Sequence, residues 1–126
     1  MFKRLIIFAF SVALAGCTTT TNIKPVRPLT IDEAYGAVIE YGIRMGMKDP
    51  NSVIFGPSRA MELSDGNIAV CGYVNAKNSF GGYHGMVPYY GILSKKTHRF
   101  TLMQVGDAPA PYYDVNKICK QYGMPF

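Results

Sequence analysis

Ser64-Asp65-Gly66-Asn67-Ile68-Ala69-Val70-Cys71-Gly72-Tyr73-Val74 is the stretch that decides the fold of this chain. The first four residues form a turn, because aspartate and glycine tolerate the positive backbone angle of a tight hairpin. The seven that follow are rich in β-branched residues and read as a strand. Successive side chains point to opposite faces of a strand, so Ile68, Val70 and Val74 lie against Ala69, Cys71 and Tyr73. Both faces are largely apolar, which marks a central strand.

The neighbouring segments supply its partners. Residues 52–55 read as a short strand, and after the bend at Gly56-Pro57 residues 59–63 continue it up to the turn. Residues 87–93 and 99–105 form a second hairpin joined around Lys95-Lys96-Thr97-His98. A helix precedes the strands. Thr30-Ile31-Asp32-Glu33 matches the capping box, with Thr30 as the cap, and Ile31, Ala34, Tyr35, Val38, Tyr41, Gly42 and Met45 recur at helical spacing as its apolar face. Pro50 ends it near residues 46–48. Gly36, Gly42 and Gly46 each weaken it by up to about 1 kcal/mol relative to alanine, so close packing has to hold it. Residues 106–111 carry two prolines, and Asp114 then caps a short last helix with Val115, Ile118, Cys119 and Tyr122 on one face and Gly123 and Pro125 as its stop. The expected fold is α+β, a four-stranded antiparallel sheet flanked by an N-terminal and a C-terminal helix.

The chain of 126 residues opens differently. Lys3 and Arg4 precede an apolar run that ends in Leu14-Ala15-Gly16-Cys17, the order of an export signal. The run is too short to span a bilayer. It resembles the lipobox of bacterial lipoproteins, and the resemblance implies that Cys17 carries lipid on its thiol, that residues 1–16 are removed as a signal peptide, and that the new amino terminus is acylated. A cleaved signal with an incidental cysteine is the plainer alternative. Residues 17–29, a threonine run and then Lys24-Pro25-Val26-Arg27-Pro28, read as the lipidated cysteine and a flexible tether ahead of one domain at 30–126. Thr18 is not the aspartate that the family associates with inner-membrane retention. The implied location is therefore the bacterial envelope, at the outer membrane facing the periplasm, with the membrane itself as a partner through the N-terminal lipid.

Loss of the leader takes Lys3 and Arg4 away and lowers the formal charge from +5 to +3. The remaining basic residues are scattered, Lys95-Lys96 and Arg99 being the only local group, so the sequence does not point to nucleic acid. With Cys17 assigned to lipid, Cys71 and Cys119 remain. An oxidising compartment favours a disulfide between them, which the chain-entropy estimate values at roughly 4 kcal/mol. The competing reading makes Cys71 a nucleophile with His84 or His98 as its base. The spacing of these histidines and cysteines does not suit zinc, no lysine-serine or lysine-threonine follows the glycines to grip a phosphate, and no carboxylate pair suggests glycoside cleavage. No metal and no cofactor is implied.

The densest feature is Asn75-Ala76-Lys77-Asn78-Ser79-Phe80-Gly81-Gly82-Tyr83-His84-Gly85, between the central strand and Pro88. Its glycines permit unusual backbone angles, and Asn78, Ser79, Phe80, Tyr83 and His84 supply groups that stack or hydrogen-bond. These five are the expected partner-binding residues, with an envelope protein or a glycan as the partner. A tight hairpin loop with Phe80 and Tyr83 folded onto the core is the alternative. Tyr89-Tyr90 likewise either joins this aromatic surface or alternates across the sheet, one inward and one outward. Residues 48–55 and 70–83, Lys48-Asp49-Pro50-Asn51-Ser52-Val53-Ile54-Phe55 and Val70-Cys71-Gly72-Tyr73-Val74 onward to Tyr83, resemble a group of small exported bacterial proteins of unknown function. The resemblance implies a shared fold and location and identifies no active site. The expected activity is non-enzymatic binding through the 75–85 loop. A Cys71-dependent thiol enzyme on an envelope substrate and a structural envelope lipoprotein are the alternatives.

Overall fold

The computed structural model describes residues 22–106 and 114–125. The leader, Cys17, the threonine run and residues 107–113 lie outside them. The elements are β1 (Pro25–Leu29), α1 (Glu33–Met45), a 3-10 turn (Pro50–Ser52), β2 (Ile54–Leu63), β3 (Ile68–Asn75), β4 (Val87–Ser94), β5 (Arg99–Val105) and α2 (Val115–Gln121). The strands form one antiparallel sheet in the order β1-β2-β3-β4-β5.

The class is α+β, and the sheet has five strands rather than four. The extra strand, β1, comes from the segment expected to be tether. Two prolines and exposed polar residues gave it no alternating pattern, yet an edge strand needs hydrogen bonds on one side only and tolerates proline there. Arg27 lies opposite Glu62 in the register and binds its carboxylate at 2.6 Å. The Lys95 ammonium binds the same carboxylate at 2.7 Å. These two hydrogen bonds, the one from Lys95 first, hold Glu62 below the usual carboxylate range against its partial desolvation.

β3 is the middle strand, and both its faces are covered. Ile68, Val70 and Val74 pack with Ile39 and Ile43 of α1, while Ala69 and Cys71 pack with Val115 and Cys119 of α2. The helices therefore lie on opposite sides of the sheet. Tyr89 and Tyr90 alternate as a strand demands, and each enters a core, Tyr89 under α1 and Tyr90 under α2. A Cys71–Cys119 disulfide joins β3 to α2 across a Cα separation of 6.1 Å.

α1 begins later and turns differently than its sequence pattern suggests. Asp32, not Thr30, is the cap, its carboxylate accepting from the Tyr35 amide at 2.8 Å. Strand pairing runs as far as Leu29, so Thr30 and Ile31 are spent crossing from the sheet to the helix. Ile39 and Ile43 are buried, whereas Tyr41 and Met45 from the expected inner face are exposed. The glycines set the rotation. A Cβ on Gly42 would stand 2.6 Å from the Phe100 carbonyl oxygen, and one on Gly46 would stand 2.8 Å from Leu102, so the line through them lies hard against β5. Gly36 has no such neighbour, its nearest contact being 3.9 Å.

Gly42→Ala separates propensity from packing. Alanine favours the helix by about 1 kcal/mol, but its methyl has to displace β5 backbone, and overpacking costs about 1–3 kcal/mol. The expected result is a lower midpoint of denaturant unfolding. An unchanged or higher midpoint shows that the helix yields at no cost.

Tyr89 sets a pH limit. Burial pushes its hydroxyl up to about 12, the Glu40 carboxylate adding to the rise and the Ser58 hydrogen bond offsetting part of it. An unfolded tyrosine ionises near 10.0. The stability contributed by neutral Tyr89 is thus fully present below that value and lost as pH rises through the folded one. Absorbance titration is expected to show a late tyrosinate step that Tyr89→Phe lacks, with a steeper loss of stability above pH 10 in the unsubstituted chain.

Candidate functional site

The β3–β4 connection is ordered by one side chain. The Asn78 carboxamide oxygen accepts from the amides of Phe80 at 2.9 Å and Gly82 at 3.0 Å. The Asn78 amide donates to the Gly82 carbonyl at 2.9 Å, and the Gly81 amide to the Asn78 carbonyl at 3.1 Å. Such side-chain bonding to nearby amides is why asparagine favours turns. Gly81 at φ 80° supplies the positive angle that closes the turn. Lys77 and Tyr83 then pair as an isolated antiparallel bridge beneath it.

With the Asn78 oxygen occupied by two donors, its nitrogen is the group that meets His84 Nε2 at 2.6 Å. An amide nitrogen only donates, so Nε2 accepts and the imidazole proton is assigned to Nδ1. His84 thus braces the turn.

A second anchor sits outside the loop. Ser52, buried in the 3-10 turn, donates its hydroxyl to the Asp49 carbonyl at 2.9 Å and accepts from the Lys77 amide at 2.9 Å. Its carbonyl accepts from the Tyr83 hydroxyl at 2.8 Å. The Lys48 ammonium reaches the Ser79 hydroxyl at 2.9 Å, and the Lys77 ammonium lies 5.8 Å from the centre of the Tyr83 ring. Among the described residues neither lysine is paired with a carboxylate. A cleft of about 280 Å³ opens behind the loop, with Met47, Val74, Val87 and Val105 as its apolar lining. Asn75 is among its lining residues, and the side-chain oxygen of Asn75 is buried with no hydrogen-bond partner.

The five expected binding residues are therefore brought together but do different work. Asn78 and His84 organise the turn, Ser79 is held by Lys48, and Tyr83 is tied to Ser52 while 45% exposed. Phe80 alone is free, 97% exposed at the tip. Of the two side chains that the alternative folds onto the core, Phe80 stands in solvent and Tyr83, tied to Ser52, is only partly covered. Ser52 and Lys48 escaped the sequence reading. Their one signal is the Asp49-Pro50-Asn51-Ser52 run, in which a serine following a proline turn can bond back to the backbone.

Cys71 carries no free thiol in this disulfide-bonded state and is fully buried. His98 lies in the β4–β5 turn, at the other end of the sheet from His84. Among the described residues no group of three or more histidine, cysteine, aspartate or glutamate side chains could hold a metal ion, and no helix is long and apolar enough to cross a membrane. What fold and site define is an α+β domain with a helix on each face of its sheet and one hydrogen-bonded, aromatic-tipped loop. No family model, no curated protein and no solved structure matches the chain.

Asn78→Ala removes the acceptor for two amides and the donor to His84. Hydrogen exchange at residues 80 and 82 is expected to quicken at least tenfold, with strand amides unchanged. Asn78→Asp keeps the acceptor and loses the donor, so those amides stay protected. Equal exchange in both variants would assign the order to the backbone bonds alone.

Proposed function

We propose that the chain is a lipid-anchored lipoprotein of the bacterial envelope, held through Cys17 at the outer membrane and facing the periplasm, that works as a non-enzymatic binding module. The 75–85 loop is its contact surface, and its partner is an envelope protein or glycan. The observation that carries this reading is the state of Phe80. At 97% it is the most exposed large hydrophobic side chain among the described residues. Here it stands on a turn already ordered by Asn78 and tied down through Ser52, so little entropy is lost when it docks. An aromatic side chain presented on an ordered turn is the kind of anchor that dominates binding energies. Tyr83 beside it, with Lys77 over the ring, extends the surface toward polar groups.

The test places a photoreactive phenylalanine analogue at position 80 of the full chain in its own envelope, with the same analogue at exposed Tyr41 as the control. A discrete crosslinked adduct is expected from position 80 and none from position 41. With the probe moved to exposed Met86, Phe80→Ala is expected to reduce the adduct about thirtyfold, the change that corresponds to the roughly 2 kcal/mol of a binding hot spot. Tyr83→Ala also cuts the Ser52 bond and is expected to lower both adduct yield and loop protection. An adduct pattern identical at positions 80 and 41 would sink the loop assignment.

A further inference from the structure

We infer that the end of the sheet opposite the 75–85 loop is a contact surface for anionic phospholipid headgroups, which holds the domain upright on its membrane with the loop pointing away. The inference rests on the reading of Cys17 as the anchor. Its observation is a distribution of charge that folding creates.

Antiparallel pairing puts the start of β1, the β2–β3 turn and the β4–β5 turn at one end, since Pro25 lies opposite Leu63, Ile68 opposite Leu93 and Ser94 opposite Arg99. The chain enters at this end. The Lys24 amide donates to the Ser64 hydroxyl at 3.0 Å, and the Ser64 amide donates to the Lys24 carbonyl at 2.9 Å, fixing the point where the segment from Cys17 arrives. Lys24, Arg27, Lys95, Lys96 and Arg99 meet here, against Glu62 and Asp65. That surplus of three positive charges compares with one over all the other described residues.

Lys24, Lys96 and Arg99 are exposed and bind no carboxylate among the described residues, so they remain available to phosphate. Beside them Ile23 and Val26 are exposed apolar side chains, an arrangement suited to the boundary between headgroups and acyl chains and not to a soluble polyanion. A basic segment next to a lipid anchor is drawn to anionic lipid, and such charges add to the hold of acyl chains. β3 has 8 residues, so at about 3.3 Å per residue the loop stands roughly 26 Å beyond the basic end.

The experiment uses the full chain, processed in a bacterial host and reconstituted into vesicles containing an acceptor-labelled lipid. A fluorescent amino acid replaces either Thr97 or Phe80. In equal mixtures of phosphatidylcholine and phosphatidylglycerol, energy transfer from position 97 is expected to exceed that from position 80 several-fold. The difference is expected to collapse on phosphatidylcholine alone, in 1 M salt, where screening acts within about 3 Å, and in the Lys24→Glu, Lys96→Glu double variant, which leaves the Glu62 pairs intact. Equal transfer from both positions on the anionic mixture, or a difference that survives charge reversal, overturns the inference. Mass spectrometry of the N-terminal peptide reports separately on Cys17. If it carries no acyl chain, the anchor reading fails, and the chain held by an N-terminal histidine tag on nickel-chelating lipid gives the same comparison of orientation.

Discussion

Everything in this domain follows from a strand that has no side to show to water. With Ile68, Val70 and Val74 on one face and Ala69 and Cys71 on the other, all buried, β3 is stable only between two layers. One layer is α1, brought close enough by Gly42 and Gly46 for helix backbone to approach β5. The other is α2, only 7 residues long and unable to persist as an isolated helix. The disulfide makes good that weakness. It joins the middle of the sheet to the buried face of the short helix across a sequence separation of 48, in a domain whose size yields only a modest core.

The two ends of the sandwiched sheet differ in character. One end bears hairpin turns, cations and the arriving N-terminal segment. The other bears a loop in which backbone and side-chain bonds, above all those of Asn78 and Ser52, hold an aromatic group out in solvent. Phe80 at its tip gains no packing from that order. The asymmetry between the ends is the feature on which the proposed binding role rests.

Four strands and both helices were legible from pattern and turn chemistry. The β2–β3 and β4–β5 turns, the Asp114 cap and the glycine stop after α2 all act within a few residues, where sequence and structure are tightly linked. β1 was not legible, because Pro25 and Pro28 speak against a strand until the ladder beside Ala60 to Leu63 is known. The face of α1 was misjudged for a similar reason. Tyr41 and Met45 also sit at helical spacing from the other apolar residues, and the close approach of β5 to Gly42 and Gly46 goes with the burial of Ile39 and Ile43 instead. At the site, residue types in the loop were informative. The division of labour among them was not, since Ser52 and Lys48 reach the loop from 25 and 31 residues away in sequence.

The disulfide also makes the two helical layers unequal in how they are held. α1 is kept on its face by packing and by its chain connections, whereas α2 packs on Met61, Leu63 and Tyr90 and is in addition bonded covalently to the middle strand. Residue 119 therefore stays beside residue 71 whatever the helix around it does, short of reduction of the bond.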